Sequence, residues 1–382
     1  MRLVVDENLP YVREFFGRHA ELQLMPGTAI TARDLEGADG LLVRSVTRVD
    51  AALLQNNTSL RFVGTATIGT DHVDQSCLAE RGIHFASAPG CNADSVVDYV
   101  ISSLLWLVAE QGLQLRDQCI GIVGVGQVGG RLARRLQAYG CQLLLNDPPR
   151  AVAGDTGLVD LDALLEAADI ICLHTPLTRA GESSQPTFHL FDEGVLSRLA
   201  GKVLLNAGRG AVVDQQALLR LLQQGQAPAL LLDVFEGEPL LDASLIDQCL
   251  LATPHIAGYS LEGKSRGTEM LYQAWCAFTG QTVCQSLPQL LPAVAIDQLH
   301  LDVACSPEEA CRRVAHLCYQ PLMDGWRLRQ ALKHSKDSAA VYQQLRKDYP
   351  VRREFASLPV KAASEQQASA LRALGFAVTN EW

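Results

Sequence analysis

The chain has no Cys-x-x-Cys pair, no internal repeat, no low-complexity segment and no apolar run approaching the roughly 18 residues of a membrane span. Its 11 cysteines are an odd number scattered through apolar surroundings, as at Cys119, Cys141 and Cys172. That is how small buried hydrophobes look in a reducing compartment, so neither a disulfide framework nor a metal or redox site is expected. Positive charge is also in deficit, with 32 Lys and Arg against 42 Asp and Glu, a net charge of −10. An acidic surface repels phosphate backbones and anionic lipid, which excludes nucleic acid and membrane as general partners, and any bound anion then needs a local basic pocket. The opening MRLVVDENLP is interrupted by Asp6 and Glu7, too early for the hydrophobic region of a signal peptide, so the expected location is the cytoplasm.

What the chain does have is apolar material: 382 residues, 48% hydrophobic and 19% charged, enough for two or three well-buried domains and incompatible with a disordered or fibrous class. Four β-rich runs, RLVVDE, GLLVRS, RFVGTA and IHFASA, alternate with helix-compatible segments at Tyr11 to His19 and Val49 to Leu54. The alternation predicts a parallel sheet with crossover helices. SVVDYVISSLLWLVAEQG is apolar on too many faces for a surface helix and is expected to be buried. A second alternating series follows, with strands in CIGIVGVG, QLLLND, DIICLH, KVLLNAG, ALLLDVF and LLATPHIAG. One long helix then ends at Gly280, and from Gln281 the text changes to a tail with helices near Glu308 to Tyr319 and Gly325 to Gln344 and a closing strand FAVTN. The expected class is α/β: two doubly wound parallel-sheet domains, Rossmann-like or flavodoxin-like, plus a small α+β C-terminal domain.

Within GIVGVGQVGGRLA, Gly124, Gly126 and Gly129 have the G-x-G-x-x-G spacing between a strand and a helix. The first glycine permits the tight turn, the second lets backbone approach a pyrophosphate, and the third allows close helix packing, which leaves the phosphates at a helix N-terminus with unpartnered amides. The next strand ends at Asp147, whose carboxylate would accept hydrogen bonds from both adenosine ribose hydroxyls and repel a 2′-phosphate. NAD is therefore expected over NADP.

Three later strands each end in a reactive group: Arg209 in NAGRGAVVD, Glu238 in DVFEGEP and His255 in TPHIAG. Singly, each has a bland explanation. Together, after a dinucleotide motif, they supply what oxidation of a 2-hydroxy acid requires: a base for the hydroxyl proton (His255), a guanidinium clamp for the carboxylate (Arg209), and a carboxylate (Glu238) that selects the His255 tautomer and stabilises its imidazolium.

These motifs resemble the D-isomer-specific 2-hydroxyacid dehydrogenases. The likeness implies a substrate (lid) domain of residues 1–95 and 256–280, an inserted NAD-binding domain of 96–255, and a C-terminal domain of 281–382. More narrowly, VDENLPY, LLVRSVTRVD, RFVGTATIGTDHVD, APGCNADSVVDYV, NDPPR, HIAGYSLEGKSRGT and the tail segments RRVAHLCY and LRKDYPVRREF are similar to the branch acting on a phosphorylated four-carbon 2-hydroxy acid. Carried over by position, the pattern implies catalytic Arg209, Glu238 and His255. It implies cofactor contacts at Gly124, Gly126, Gln127, Val128, Gly129, Asp147, Thr175, Ala207, Asp233 and Gly258, and substrate contacts at Ser45, Thr67 and Tyr259. The tail resembles a dimerisation domain, implying a homodimer. A substrate phosphate also needs a cation; Arg44 is preferred, with Lys264 and Arg266 as further candidates. One departure from the pattern is Gly208, directly before Arg209. The alternative substrate is another 2-hydroxy acid such as 3-phosphoglycerate.

Overall fold

In the computed structural model, which describes residues 1–55 and 57–380, five strands pair in parallel: β1 (Arg2–Asp6), β2 (Glu21–Met25), β3 (Gly40–Val43), β4 (Phe62–Thr65) and β5 (His84–Ser87). Their order is β2-β1-β3-β4-β5. Successive strand residues point to opposite faces, and the core divides accordingly. Val4, Leu41, Val43 and Val63 join one cluster. Leu3, Val5, Leu42 and Phe62 join the other, which the returning helix Leu261–Thr279 closes with Leu271, Tyr272 and Trp275. This unit consists of Met1–Asp94 and Ser260–Ala293. The edge strand β2 is absent from the sequence expectations because ELQLM, bonded on one side only, is largely half-exposed and carries polar Glu21 and Gln23. The segment Val49 to Leu54 forms turns instead of a helix, with the Asp50 carboxylate accepting the amides of Ala52 and Leu53.

The second unit takes in Ser95–Tyr259 and residues 294–380. Its six strands are β6 (Cys119–Val123), β7 (Gln142–Asn146), β8 (Ile170–Leu173), β9 (Val203–Asn206), β10 (Ala229–Leu232) and β11 (Leu251–Ala252), parallel and ordered β11-β10-β9-β8-β6-β7. The chain leaves β6 for β7 on one side and returns for β8 on the other. The order therefore reverses at β6, and in such sheets ligands bind at the carboxyl ends beside that reversal. Ile120, Ile122, Ile170, Cys172 and Leu205 face one core cluster, Val123, Ile171, Leu173 and Leu204 the other. Helix Ala93–Glu110 lies in the first cluster with Val97, Val100, Ile101 and Leu104 fully buried, each worth roughly 1.5–3 kcal/mol against exposure.

The tail adds a small parallel sheet, β12 (Leu299–His300), β13 (Pro359–Ala362) and β14 (Ala377–Asn380), in that order. Helix Glu365–Leu374 joins its last two strands. The long helix expected over Gly325 to Gln344 is two, Pro321–Lys333 and Ser338–Lys347, because Asp337 caps the second through the Ala340 amide. Expected as a separate unit, the tail instead shares the cores of the nucleotide-fold sheet. Cys311, Val314, Ala315, Phe355 and Leu371 lie in its first cluster, Leu328 and Tyr342 in its second. Polar ties reinforce this: Asp98 pairs with Arg135 at 2.6 Å and accepts the Phe355 amide at 2.8 Å, and Arg352 donates to Ser95 Oγ at 2.6 Å and to the Ala257 carbonyl. Among the described residues, no helix is long and apolar enough to cross a membrane.

Candidate active site

Strand β6 is followed by Gly124, whose φ of +87° lies in the left-handed region; a Cβ there would lie 2.8 Å from the Thr175 nitrogen. Only glycine fits both constraints. Gly129, in the first turn of helix Gln127–Tyr139, is packed so closely that a Cβ would stand 2.0 Å from the Gly124 carbonyl oxygen. Gly126 is the opposite case, with nothing within 4 Å of its would-be Cβ. The loop is thus tight where it packs and open at the helix N-terminus, where Gly126 and Gln127 are exposed and Val128 half-buried. Thr175 Oγ1, after β8, is buried without a hydrogen-bond partner among the described residues. An open, amide-bearing helix start beside an orphaned hydroxyl suits the diphosphate of a dinucleotide.

Asp147 follows β7. Its Oδ2 accepts the Val125 amide at 2.8 Å and its Oδ1 the Arg150 amide at 3.2 Å, which aims the carboxylate at the glycine loop with lone pairs to spare for hydroxyl donors. His174, next to Thr175, has both nitrogens away from solvent and unpartnered among the described residues; burial drives its pKa down to about 4, so it is neutral near pH 7.

Arg209 stands in extended conformation on the turn after β9. Asn206 builds that turn: its Oδ1 accepts the Gly208 amide and its Nδ2 donates to the Arg209 carbonyl, both at 3.0 Å. Ala207 is half-buried between them. The glycines on either side of Arg209 answer to packing. A Cβ on Gly208 would lie 3.2 Å from the Leu173 and Thr175 carbonyl oxygens, and one on Gly210 would lie 2.0 Å from the Phe235 carbonyl oxygen. Gly208 is therefore a close-approach residue, held by Asn206 and not loose.

Asp233, directly after β10, is buried and accepts three hydrogen bonds: from Thr253 Oγ1 at 2.6 Å and from the Ile256 and Ala257 amides at 2.8 and 2.9 Å. Burial raises its pKa, against the pull of His255 and these donors. It organises the loop that carries His255, whose own amide donates to the Asp233 carbonyl at 2.7 Å. His255 has a φ of +56°, unusual for a residue with a Cβ and tolerated where surrounding bonds over-determine the backbone. Gly258 and Tyr259 complete the turn, the Tyr259 amide donating to the Ile256 carbonyl at 2.9 Å.

The side chains of Glu238 and His255 meet. His255 Nδ1 lies 2.8 Å from Glu238 Oε2, and Glu238 also accepts the Phe235 amide at 2.8 Å and the Tyr342 hydroxyl at 2.6 Å. Burial acts to raise the carboxyl's pKa, but His255 and these donors outweigh it and hold the group below the ordinary glutamate value. An ionised carboxylate at Nδ1 selects the Nδ1–H tautomer, so the lone pair sits on Nε2, which has no partner among the described residues. Chemically, such an arrangement can serve as a base oriented and charge-stabilised from behind.

In the first unit, Arg44, Ser45 and Thr67 follow β3 and β4. Arg44 Nε pairs with the buried Asp6 at 3.0 Å, leaving the outer guanidinium nitrogens beyond that bond. Ser45 is exposed, and the Thr67 hydroxyl is engaged with Thr65 Oγ1 and the Gly69 carbonyl at 2.8 Å each. Arg266 donates to the Cys91 carbonyl; Lys264 is half-buried in the same helix. Reading the motifs alone missed Asn206, Thr253 and Tyr342. A polar residue closing the apolar run VLLN is a signal that could have found Asn206. Nothing in the sequence joins Tyr342 to a residue 104 positions away.

The D-isomer specific 2-hydroxyacid dehydrogenase NAD binding domain matches residues 101–257, and a domain of unknown function matches residues 290–375. The chain is 48% identical over 378 residues to the erythronate-4-phosphate dehydrogenase of Sodalis glossinidius, covering 98% of each. It is 47% identical over 379 residues to that of Pseudomonas fluorescens, covering 98% of this chain and 99% of the other. Among solved structures, the D-lactate dehydrogenase of Aquifex aeolicus in complex with NAD and lactic acid superposes with a TM-score of 0.60 at 25% identity, over 73% of this chain and 96% of that one. With the glycine loop, Asp147 and the Glu238–His255 pair in one unit and likeness along nearly its whole length, the chain belongs to the erythronate-4-phosphate dehydrogenases of the D-isomer-specific 2-hydroxyacid dehydrogenase family.

Proposed function

We propose that the protein oxidises the 2-hydroxyl of 4-phospho-D-erythronate to (R)-3-hydroxy-2-oxo-4-phosphooxybutanoate, a step in forming pyridoxal 5′-phosphate, vitamin B6. The enzyme is an NAD-dependent oxidoreductase. When bound, NAD supplies the acceptor for the hydride that leaves C2. Gly124, Gly126, Gln127, Val128 and Gly129 cradle its diphosphate and Asp147 its adenosine ribose, with Thr175, Ala207, Asp233 and Gly258 on the path toward the nicotinamide. His255 Nε2 takes the proton of the 2-hydroxyl. Glu238 stabilises the imidazolium that results, and Arg209 grips the substrate carboxylate through two parallel hydrogen bonds. Ser45, Thr67 and Tyr259 are substrate contacts in this reading, with Arg44 the cation for the phosphate.

The observation that carries it is the hydrogen bond between Glu238 and His255 Nδ1 with Nε2 left unpartnered among the described residues. The test is initial rates of NADH formation on 4-phospho-D-erythronate and on 3-phosphoglycerate: a clear kcat/KM preference for the four-carbon phosphate is expected, and a preference for the three-carbon acid would reassign the substrate. The reading extends to a cytoplasmic homodimer joined through the tail. Exposed Met323 and Trp326, 48% and 56% accessible and three residues apart on one helix, support such a contact. Sedimentation of Trp326→Glu should then give monomer where the parent gives dimer.

A further inference from the structure

Tyr342 belongs to the stretch that matches only a domain of unknown function, on helix Ser338–Lys347. Its ring is buried in the second core cluster of the nucleotide-fold sheet, and its hydroxyl meets the oxygen of Glu238 that also receives His255 Nδ1. Burial, then the neighbouring carboxylate, push the phenol's pKa well above its ordinary value, so it is a donor at any working pH. One turn along, the Arg346 guanidinium lies 4.9 Å from the Tyr342 ring centre and 5.4 Å from that of Tyr259, which clamps the phenol from the side.

We propose that Tyr342 is a positioning residue for the dehydrogenase reaction: its hydroxyl fixes the Glu238 carboxylate and shares its Oε2, thereby setting how firmly His255 holds a proton. The tail is then part of the chemistry as well as of the architecture. The physical reason is competition for one acceptor. A carboxylate oxygen that already accepts a short phenol hydrogen bond has less electron density to offer an imidazolium, so the donor tempers the base's affinity for protons while locking its partner's rotamer. Without it, Glu238 is held only by the Phe235 amide on Oε1 and by His255 itself on Oε2. The inference rests on reading His255 as the base.

Tyr342→Phe keeps the ring, its packing and its contact with Arg346 while removing the one hydroxyl. In the variant, kcat should fall roughly threefold to tenfold with KM for the hydroxy acid little changed, and the acidic limb of the kcat profile should move to higher pH. Replacing Tyr342 with 3-fluorotyrosine, a stronger donor, should move the limb the other way. The same shifts are read without turnover by following the imidazole ¹⁵N titration of His255 in cofactor-loaded enzyme, identified by its loss in His255→Gln. An unmoved titration midpoint in Tyr342→Phe overturns the proposal, as does a rate loss uniform across pH. A moved midpoint without turnover of 4-phospho-D-erythronate upholds it and sinks the substrate assignment instead.

Discussion

The two parallel sheets are wound alike and finished differently. Read outward from the reversal, the first runs β2-β1-β3-β4-β5 and the second β7-β6-β8-β9-β10-β11, the same order with one strand more. Both bury Val and Leu on alternating faces, the second sheet Ile as well. At the strand ends they part. The first carries an arginine tied to Asp6 and short hydroxyl side chains at Ser45 and Thr67. The second carries a connected set in which Asn206 shapes the Arg209 turn, Asp233 pins the His255 loop, and Glu238 meets His255. The lesson is that winding decides where a site can lie, and the hydrogen bonding of buried polar groups decides which strand ends hold their side chains rigidly.

That contrast can be broken or sharpened by experiment. His255→Asn should lower kcat by about 10²–10⁴-fold, the usual worth of a positioned base, with thermal stability near the parent's; a Ser45→Ala enzyme losing as much would erase the distinction between the sheets. Gly210→Ala should cost roughly 1–3 kcal/mol in urea denaturation through overpacking against Phe235, because the Arg209 turn leaves no room for a methyl; an unchanged midpoint would mean the turn is looser than its packing. Glu238→Gln should give a smaller rate loss than His255→Asn and move the acidic limb of the oxidation rate downward. The sign follows from charge: the carboxylate is ionised at neutral pH and favours the imidazolium, whereas an amide gives no such support, so the base takes up its proton only at lower pH. A stationary limb would count against the pairing. The smallest effect is expected in the first sheet, where Arg44→Ala should raise KM for a phosphorylated substrate by about tenfold, one lost charged contact, and spare a non-phosphorylated analogue. Equal loss on both would remove Arg44 from the phosphate.

Much of this was legible in the chain. The glycine spacing, the acid after the next strand and the reactive strand ends are local patterns, and local patterns survive being read in one dimension. Central strands such as IICL and VLLN announce themselves because both faces are buried, whereas edge strand β2, with Glu21 and Gln23 half in solvent, does not. The tail was hardest to read. Its helix Ser338–Lys347 buries only Tyr342, and strand β13 is four residues long and opens on a proline, so neither stands out as an isolated element. Its absorption into the second unit depends on Arg352, Phe355 and Tyr342 finding partners far along the chain.

By itself the sequence determined the class of chemistry, because a dinucleotide loop, a guanidinium, an imidazole and a carboxylate must each occupy the end of a strand, and strand ends are written in order along the chain. Only the tertiary structure decided that Asp233 serves the His255 loop, that Gly208 packs against the Leu173 and Thr175 carbonyls, and that a tail tyrosine shares the Glu238 carboxylate behind His255. Those are hydrogen bonds and contacts between residues distant in sequence, fixed by the folded backbone and invisible to any local pattern.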